Sequence, residues 1–380
     1  MSNERRGAPQ ARKGRGAISN VQGRFERVQR EAFDDGWAEP VDEHQHEPDA
    51  SRPKLLTQVT IEQAKSILTR NSSPDIRFDV SLNPYRGCEH GCIYCFARPS
   101  HAYLDLSPGL DFETKLYAKT NAAARLREEL SKTSYRCEPI ALGVNTDAYQ
   151  PIEREHRVTR EILEVLHETD HPVALITKSS LIERDIDLLA PMAEKRLVFA
   201  DITIATLDTD IARTLEPRAA TPSRRLRTIR ELSNAGIPVG VSVAPTIPFI
   251  TEPDLERILE AAQEAGARYA SYVVLRLPWE VRPLFLEWLQ AHYPDRAERV
   301  MNRVREMRGG KDYDADFSQR MSGTGIWSDF LRQRFFKAAD RRGLSYKRLR
   351  LDTSRFRAPE RPPSANTSGK RHDDRQASLF

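Results

Sequence analysis

From residue 55 onward the chain alternates short β-rich runs with amphipathic stretches, and this alternation restricts its fold more than any other feature. The runs cover 78–83, 139–145, 173–177, 197–205, 238–245 and 269–277. Between them lie stretches of helical period, such as 159–166 with Ile162, Leu163 and Leu166 on one side, and 254–265 with Leu255, Ile258, Leu259 and Ala262. Gly236 and Gly266 stand where two of these stretches end, as helix C-caps do. Six strand–helix units in a row imply an α/β fold with a parallel sheet and right-handed crossovers. Period alone leaves an open doubly wound sheet and a barrel both in play. Polar residues narrow the choice, because barrel enzymes carry their reactive groups just past the C-terminal ends of the strands. Here those ends carry Asn145, Thr146 and Asp147, then Thr177, Lys178 and Ser179, then Thr203 through Asp208, and finally Arg276.

The first run leads into Asn83-Pro-Tyr-Arg-Gly87-Cys88-Glu-His90-Gly91-Cys92-Ile-Tyr94-Cys95-Phe96, which holds three of the chain's 4 cysteines. The spacing C-x3-C-x2-C lets a tight loop turn three thiolates toward one centre, and Gly87 and Gly91 supply the positive-φ freedom it needs. Structural zinc sites and cubane iron–sulfur clusters both normally take four protein ligands. Three thiolates with no fourth close by leave one metal position open to a substrate. The competing assignment is a zinc knuckle completed by His90 or His101. Tyr94, between the last two cysteines, offers a flat ring to a planar ligand.

The pattern C-x3-C-x-aromatic-C resembles the signature of the radical S-adenosylmethionine (SAM) superfamily. The resemblance implies a partial (β/α)6 barrel, a [4Fe–4S] cluster on Cys88, Cys92 and Cys95, and SAM chelating the fourth iron with its adenine against Tyr94. Residues 145–153, Thr177-Lys178-Ser179, Leu215-Glu216-Pro217-Arg218 and Arg224-Arg225-Leu226 are similar, over residues 72–285, to the spore photoproduct lyase-like branch. Matched residue by residue, Thr146 is a hydroxyl near SAM, Lys178 the partner of the SAM carboxylate and Thr203 the group beside the ribose. The physics is coherent: a carboxylate in a partly dry pocket needs a cation, and ribose hydroxyls need small hydrogen-bonding groups. Asp147, Tyr149 and Glu153 are the candidate catalytic residues, bracing of the barrel mouth being their competing role. Tyr149 is also the nearest candidate for quenching a radical. Glu216 and Arg218, straddling Pro217, read as a structural ion pair, a catalytic role being the alternative. Val144 stands where the lyase carries its hydrogen-donating cysteine, so lesion reversal by that route is not expected. Cys137, seven residues earlier, reads as an inert buried thiol. An electron donor such as flavodoxin or ferredoxin is implied as a partner.

At 380 residues, 39% apolar and 30% charged, the chain is long enough to bury a substantial core. Clustered cysteines argue against a disulfide framework and for a reducing compartment. The start Met-Ser-Asn-Glu-Arg-Arg has no apolar run of a secretory signal, and the apolar stretch 237–250 is broken by Pro245 and Pro248. A cytoplasmic protein is expected. Its net charge of +4 is unevenly spread: residues 1–30 are mainly basic, whereas the charged residues from Glu31 to Asp49 are all acidic. Residues 1–54 are therefore expected to form a disordered arm, a basic arm for a polyanion being the sharper alternative. Phe25, Phe33 and Trp37 are the exceptions that let part of it lie on the body. Residues 55–285 are expected to form the core barrel.

Residues 286–350 read as a helical extension closing the open side of the barrel, and 351–380 as a disordered tail. The tail ends Gln376-Ala-Ser-Leu379-Phe380, which resembles the clamp-binding motif of bacterial replication and repair proteins. Gln376, Leu379 and Phe380 are thus candidate contacts to a sliding clamp. The expected function is a radical SAM enzyme that cleaves SAM to a 5′-deoxyadenosyl radical and acts on nucleic acid, damaged DNA included. The alternatives are modification of RNA, a peptide or a small metabolite, and a non-catalytic, clamp-tethered DNA-binding metal protein.

Overall fold

The protein's structure, a computed structural model, describes residues 11–26, 55–76, 78–347 and 349–360. Each β-rich run forms a strand: β1 Val80–Leu82, β2 Ile140–Leu142, β3 Val173–Thr177, β4 Val198–Thr203, β5 Val239–Thr246 and β6 Tyr269–Val274. Each pairs in parallel with the next. Leu68–Arg70 adds an antiparallel edge beside β1. Strand order follows chain order without a reversal. A doubly wound sheet needs a switch point where that order reverses, so the winding is that of a barrel, with successive right-handed crossovers on one face. The terminal strands, Leu68–Arg70 and β6, do not pair with each other, which leaves the partial (β/α)6 barrel expected.

The helices after β1 to β5 are α1 Ala122–Leu130, α2 Val158–Glu168, α3 Ile186–Glu194, α4 Pro222–Asn234 and α5 Leu255–Glu264. Ile162, Leu163 and Leu166 of α2 share one core with Val173 and Leu175 of β3. Full burial of each such side chain contributes about 1.5–3 kcal/mol. Because side chains alternate along a strand, the less buried Ala174 and Ile176 face the other way, and Lys178 continues their row past the end of β3. Helix α4 starts where it does because the Thr221 hydroxyl accepts from the Arg224 amide and Pro222 presets the first turn. That start places Arg225 one turn in.

A second sheet, not legible as strands in the sequence, joins Gln58–Ile61 to Lys115–Ala118 and the latter to Tyr85–Arg86. It backs the cysteine loop.

The arm expected to be structureless through residue 54 is instead packed at 11–26. Ala17 is fully buried and shares a core with Ile93 and Leu110. Arg15, buried with it, donates to the carbonyls of Glu113 at 2.8 Å and Leu55 at 2.7 Å. A short apolar pair and one satisfied arginine are enough to dock a segment that lacks any period. Phe33 and Trp37 lie outside the described residues. The linker expected from residue 351 likewise touches the body at 352–357. Phe356 meets the rings of Tyr135 and His171 at 5.5 and 5.2 Å, and the Arg357 amide donates to Thr169 O at 2.9 Å. Gln376, Leu379 and Phe380 fall outside the described residues.

The extension comprises α6 Val281–His292, α7 Pro294–Glu306 and α8 Gly325–Arg341. Before α8, Met321 O accepts from the Val274 amide on the exposed edge of β6 at 3.0 Å. Arg320, next to it, grips Asp75 with two bonds of 2.5 and 2.6 Å. Asp75 lies in the turn between Leu68–Arg70 and β1, so this segment spans the gap between the two ends of the sheet. Among the described residues no helix is long and apolar enough to cross a membrane.

Candidate active site at the cysteine loop

The loop that carries Cys88, Cys92 and Cys95 leaves Tyr85–Arg86 and ends in the 3-10 helix Arg98–Leu104. Gly87 and Gly91 have φ of +71° and +68°, the conformation expected of them. At Gly91 a Cβ would also meet Glu113 Oε2 at 2.8 Å. The loop is tied down by the Cys88 amide on Phe112 O at 2.9 Å and by Gln150, whose side chain accepts from Glu89 N at 2.9 Å and donates to Gly87 O at 3.1 Å.

Beneath it lies an arginine that sequence reasoning missed. Arg98, fully buried, donates to the carbonyls of Cys92 at 2.9 Å, Gly91 at 3.1 Å, Pro108 at 3.1 Å and Gly109 at 2.9 Å. Its remaining donor pairs with Glu113, also fully buried. Glu113 in turn accepts from the Gly16 amide at 3.1 Å and the Ala17 amide at 2.8 Å. The N-terminal segment, the loop and the Leu110–Thr114 helix thus form one hydrogen-bonded unit in which no buried charge is left alone.

All three loop cysteines are free thiols, two of them buried. Burial pushes the Cys92 thiol up to about 12 and the Cys88 thiol well above its usual value, with Asp147 and the neighbouring thiolates adding to the effect on Cys88. Buried thiols such as Cys88 and Cys92 give up their protons to a strong cationic centre, which fits a metal cluster. Among the described residues no three His, Cys, Asp or Glu side chains gather as a single ion requires. Thiolates that each bind a different iron of a cubane have no need to converge on one atom. Of the two histidines of the zinc-knuckle alternative, each keeps a buried Nδ1 without a hydrogen-bond partner among the described residues. His101 Nε2 lies 2.9 Å from Lys115 O, and His90 Nδ1 lies at ion-pair range, 3.3 Å, from Asp147 Oδ2.

Beside the loop stands a second buried group. Tyr94 donates its hydroxyl to Glu216, which pairs with Arg225, and Arg225 also donates to Thr203 O at 2.9 Å and Ala220 O at 2.7 Å. Burial works to raise the Glu216 carboxyl, but Arg225 and Lys178 outweigh it and hold it below the ordinary range. The Lys178 ammonium lies 5.8 Å from the Tyr94 ring centroid. Burial acts to lower its pKa, and Cys92 and Glu216 more than compensate, so it stays charged. Thr203 is buried at the end of β4, while the Thr146 hydroxyl is bonded to Tyr85 O at 3.1 Å.

Of the candidate catalytic residues only Asp147 lies against this group, and its oxygens are committed. They accept from Thr177 Oγ1 at 2.7 Å, the Lys178 amide at 2.8 Å and the Tyr149 amide at 2.9 Å. Asp147 therefore locks the loop after β2 to the end of β3. Glu153, fully buried, accepts from the Tyr85 hydroxyl, Arg184 at 2.6 Å, and the Thr159 and Arg160 amides at 2.9 and 3.2 Å. It caps α2 and leaves no free lone pair for acid–base work. Tyr149 is sealed in beside Asp185 and Glu153. The pairing of Glu216 with Arg218 gives way to two separate pairs, Glu216 with Arg225 and Arg218 with Glu89 at 3.1 Å. Local sequence favours the nearer partner, but the turn at 216–220 points the two side chains apart. Cys137 is partly buried, its thiol pushed up to about 12 by burial and Glu138.

A family model described as Radical SAM superfamily matches residues 82–262. An uncharacterized protein of Mycobacterium bovis is 38% identical over 232 residues, 60% of this chain and 67% of its own length. One of Methanocaldococcus jannaschii is 25% identical over 227 residues, 59% of this chain and 80% of its own. Among solved structures, spore photoproduct lyase complexed with dinucleoside spore photoproduct superposes with a TM-score of 0.51 at 15% identity, covering 75% of this chain and 80% of that one. That likeness concerns the fold.

Proposed function

This chain belongs to the radical SAM superfamily, an enzyme by that membership, and we propose that Cys88, Cys92 and Cys95 hold its [4Fe–4S] cluster while Lys178 and Tyr94 hold SAM alongside. Bound there, the two cofactors supply a 5′-deoxyadenosyl radical for hydrogen abstraction, chemistry that is theirs rather than the side chains'. The observation that carries the reading is Lys178: a half-buried ammonium 5.8 Å from the Tyr94 ring centroid that, among the described residues, makes no direct ion pair. A ligand carboxylate would complete it. Glu216 and Arg225 fix the Tyr94 ring as a wall for adenine, Thr203 and Thr146 flank the ribose side, and Arg98 with Glu113 keeps the thiolates in place. Asp147, Tyr149 and Glu153 position these loops.

The substrate proposed is nucleic acid, with damaged DNA as the leading case. Its support is the shared fold with a lyase complexed with dinucleoside spore photoproduct and the excess of arginine in residues 1–30. The terminal residues Gln376, Leu379 and Phe380 would tether the enzyme to a replication sliding clamp in the cytoplasm, with flavodoxin or ferredoxin as reductant. The test is anaerobic reconstitution with iron and sulfide, followed by dithionite, SAM and deuterium-labelled cellular DNA. Label appearing in 5′-deoxyadenosine supports the reading. Label arriving only from RNA, peptide or metabolite fractions replaces the substrate, and tightly bound zinc with no 5′-deoxyadenosine overturns the reading altogether.

A further inference from the structure

The packed segment 11–26 does more than cover the cysteine loop: it carries Arg24 and Phe25 to the protein surface. Arg24 is anchored by the buried Glu280, whose Oε1 accepts from the Arg24 amide at 3.1 Å and its Nε at 2.8 Å. The guanidinium carbon then lies 4.0 Å from the Trp279 ring centroid and 5.4 Å from that of Phe25. Phe25 in turn meets Tyr103, with centroids 4.8 Å apart. The rings are open to solvent, Trp279 by 62%, Tyr103 by 71% and Phe25 by 50%.

The same two loops meet again nearer the cysteines. Arg276 lies 5.2 Å over Phe96, the residue after Cys95, and Phe96 is itself exposed. Tyr103 and Phe96 follow β1, while Trp279 and Arg276 follow β6, so the stripe joins the loops of the first and last parallel strands. Beneath it two buried polar atoms lack hydrogen-bond partners among the described residues: Nε of Arg276, and Oε2 of Glu280, which stands beside Trp279 in the chain. One is a cationic donor and the other an anionic acceptor.

Resting on the nucleic-acid reading above, we infer that this stripe docks an unpaired nucleic-acid strand at the barrel mouth. Flat exposed rings interleaved with guanidinium groups suit stacked bases, and a duplex would hide the base faces they need. The half-buried Arg276 guanidinium suits a phosphate. Residues after β1 and β6 thereby lead a single strand toward the cysteine loop.

The test measures anisotropy of a short fluorescein-labelled single strand of alternating A and C, and of its duplex, on the anaerobically reconstituted full chain. Thermal midpoint and iron content check each variant's integrity. Trp279→Ala and Phe25→Ala are each expected to weaken single-strand binding about tenfold, with Trp279→Phe restoring most of it. Arg276→Gln is expected to reduce the salt dependence by about one ion. Equal binding by parent and variants overturns the docking surface while leaving a nucleic-acid substrate standing. Failure of the parent to bind either nucleic acid overturns both. Quenching of Trp279 by a peptide of residues 31–49, and not by the strand, assigns the surface to the chain's own acidic segment and overturns the proposal.

Discussion

Gly16 lies so close to Gly91 that a Cβ built on it would stand 1.8 Å from the Gly91 carbonyl oxygen. The obstacle is backbone in the middle of the cysteine loop, so it cannot rotate away as a side chain would. The N-terminal segment and the loop are therefore one packed unit, closed by Glu113 accepting from the amides of both Gly16 and Ala17.

Gly16→Ala is accordingly expected to destabilise the protein by about 1–3 kcal/mol, the usual cost of overpacking, and to lower the iron retained after desalting. Urea denaturation and iron analysis read the two effects. If both match the parent, the contact is dispensable.

Glu113→Gln removes the charge facing Arg98, where both side chains are fully buried. Leaving one buried partner alone costs about 3–5 kcal/mol, and the loop carbonyls held by Arg98 lose their anchor. A lower denaturation midpoint should accompany loss of the visible iron–sulfur absorbance. An unshifted midpoint would contradict this account of the loop.

Lys178→Met is expected to spare the iron content, since Lys178 binds none of the loop carbonyls, yet weaken SAM binding roughly thirtyfold, the low end for truncating a charge partner that the bound ligand would bury. Equilibrium dialysis of the loaded protein checks it. Unchanged SAM affinity would remove Lys178 from the site.

The clasp between Asp75 and Arg320 should give the fold part of its acid sensitivity. Hydrogen bonds from Arg320, opposed by burial and helped by its charge, hold the Asp75 carboxyl below the usual range. A carboxyl depressed in the folded state contributes stability that is complete above its unfolded value near ~3.9 and is lost as pH falls through the lower folded value. Asp75→Asn should therefore lower the urea midpoint at neutral pH and flatten its fall below about pH 4. Parallel pH profiles for parent and variant would show that the clasp is not coupled to folding.

Removing residues 376–380 is expected to abolish binding to a bacterial sliding clamp in surface plasmon resonance while leaving the thermal midpoint unchanged. Clamp affinity retained by the truncated chain would rule the peptide out as the anchor.

Much of this arrangement was readable from residues alone, but unevenly. Five of the six parallel strands lie within the β-rich runs, and β5 overruns its run by one residue, Thr246. The match follows because apolar runs bounded by helical periods report a parallel sheet wherever its faces are covered. Gly87 and Gly91 were readable because positive φ leaves a residue-type mark. Arg98 and Glu113 leave no such mark: a buried ion pair looks like any other charge in sequence. Residues 11–26 were misjudged for a related reason. Their composition is that of solvated chain, and their docking depends on amides and carbonyls that composition does not reveal.

The order of residues determined the parallel sheet and the thiol-bearing turn after the first strand, since periodicity, glycine freedom and ligand spacing are all local properties. Tertiary structure alone decided which charges face one another. It set Glu216 against Arg225 and away from Arg218, turned Glu153 into a helix cap, and laid Gly16 on Gly91. The physical reason is that a buried charge or amide must find whichever partner the folded chain brings within a few ångströms, and that distance is not written in sequence separation.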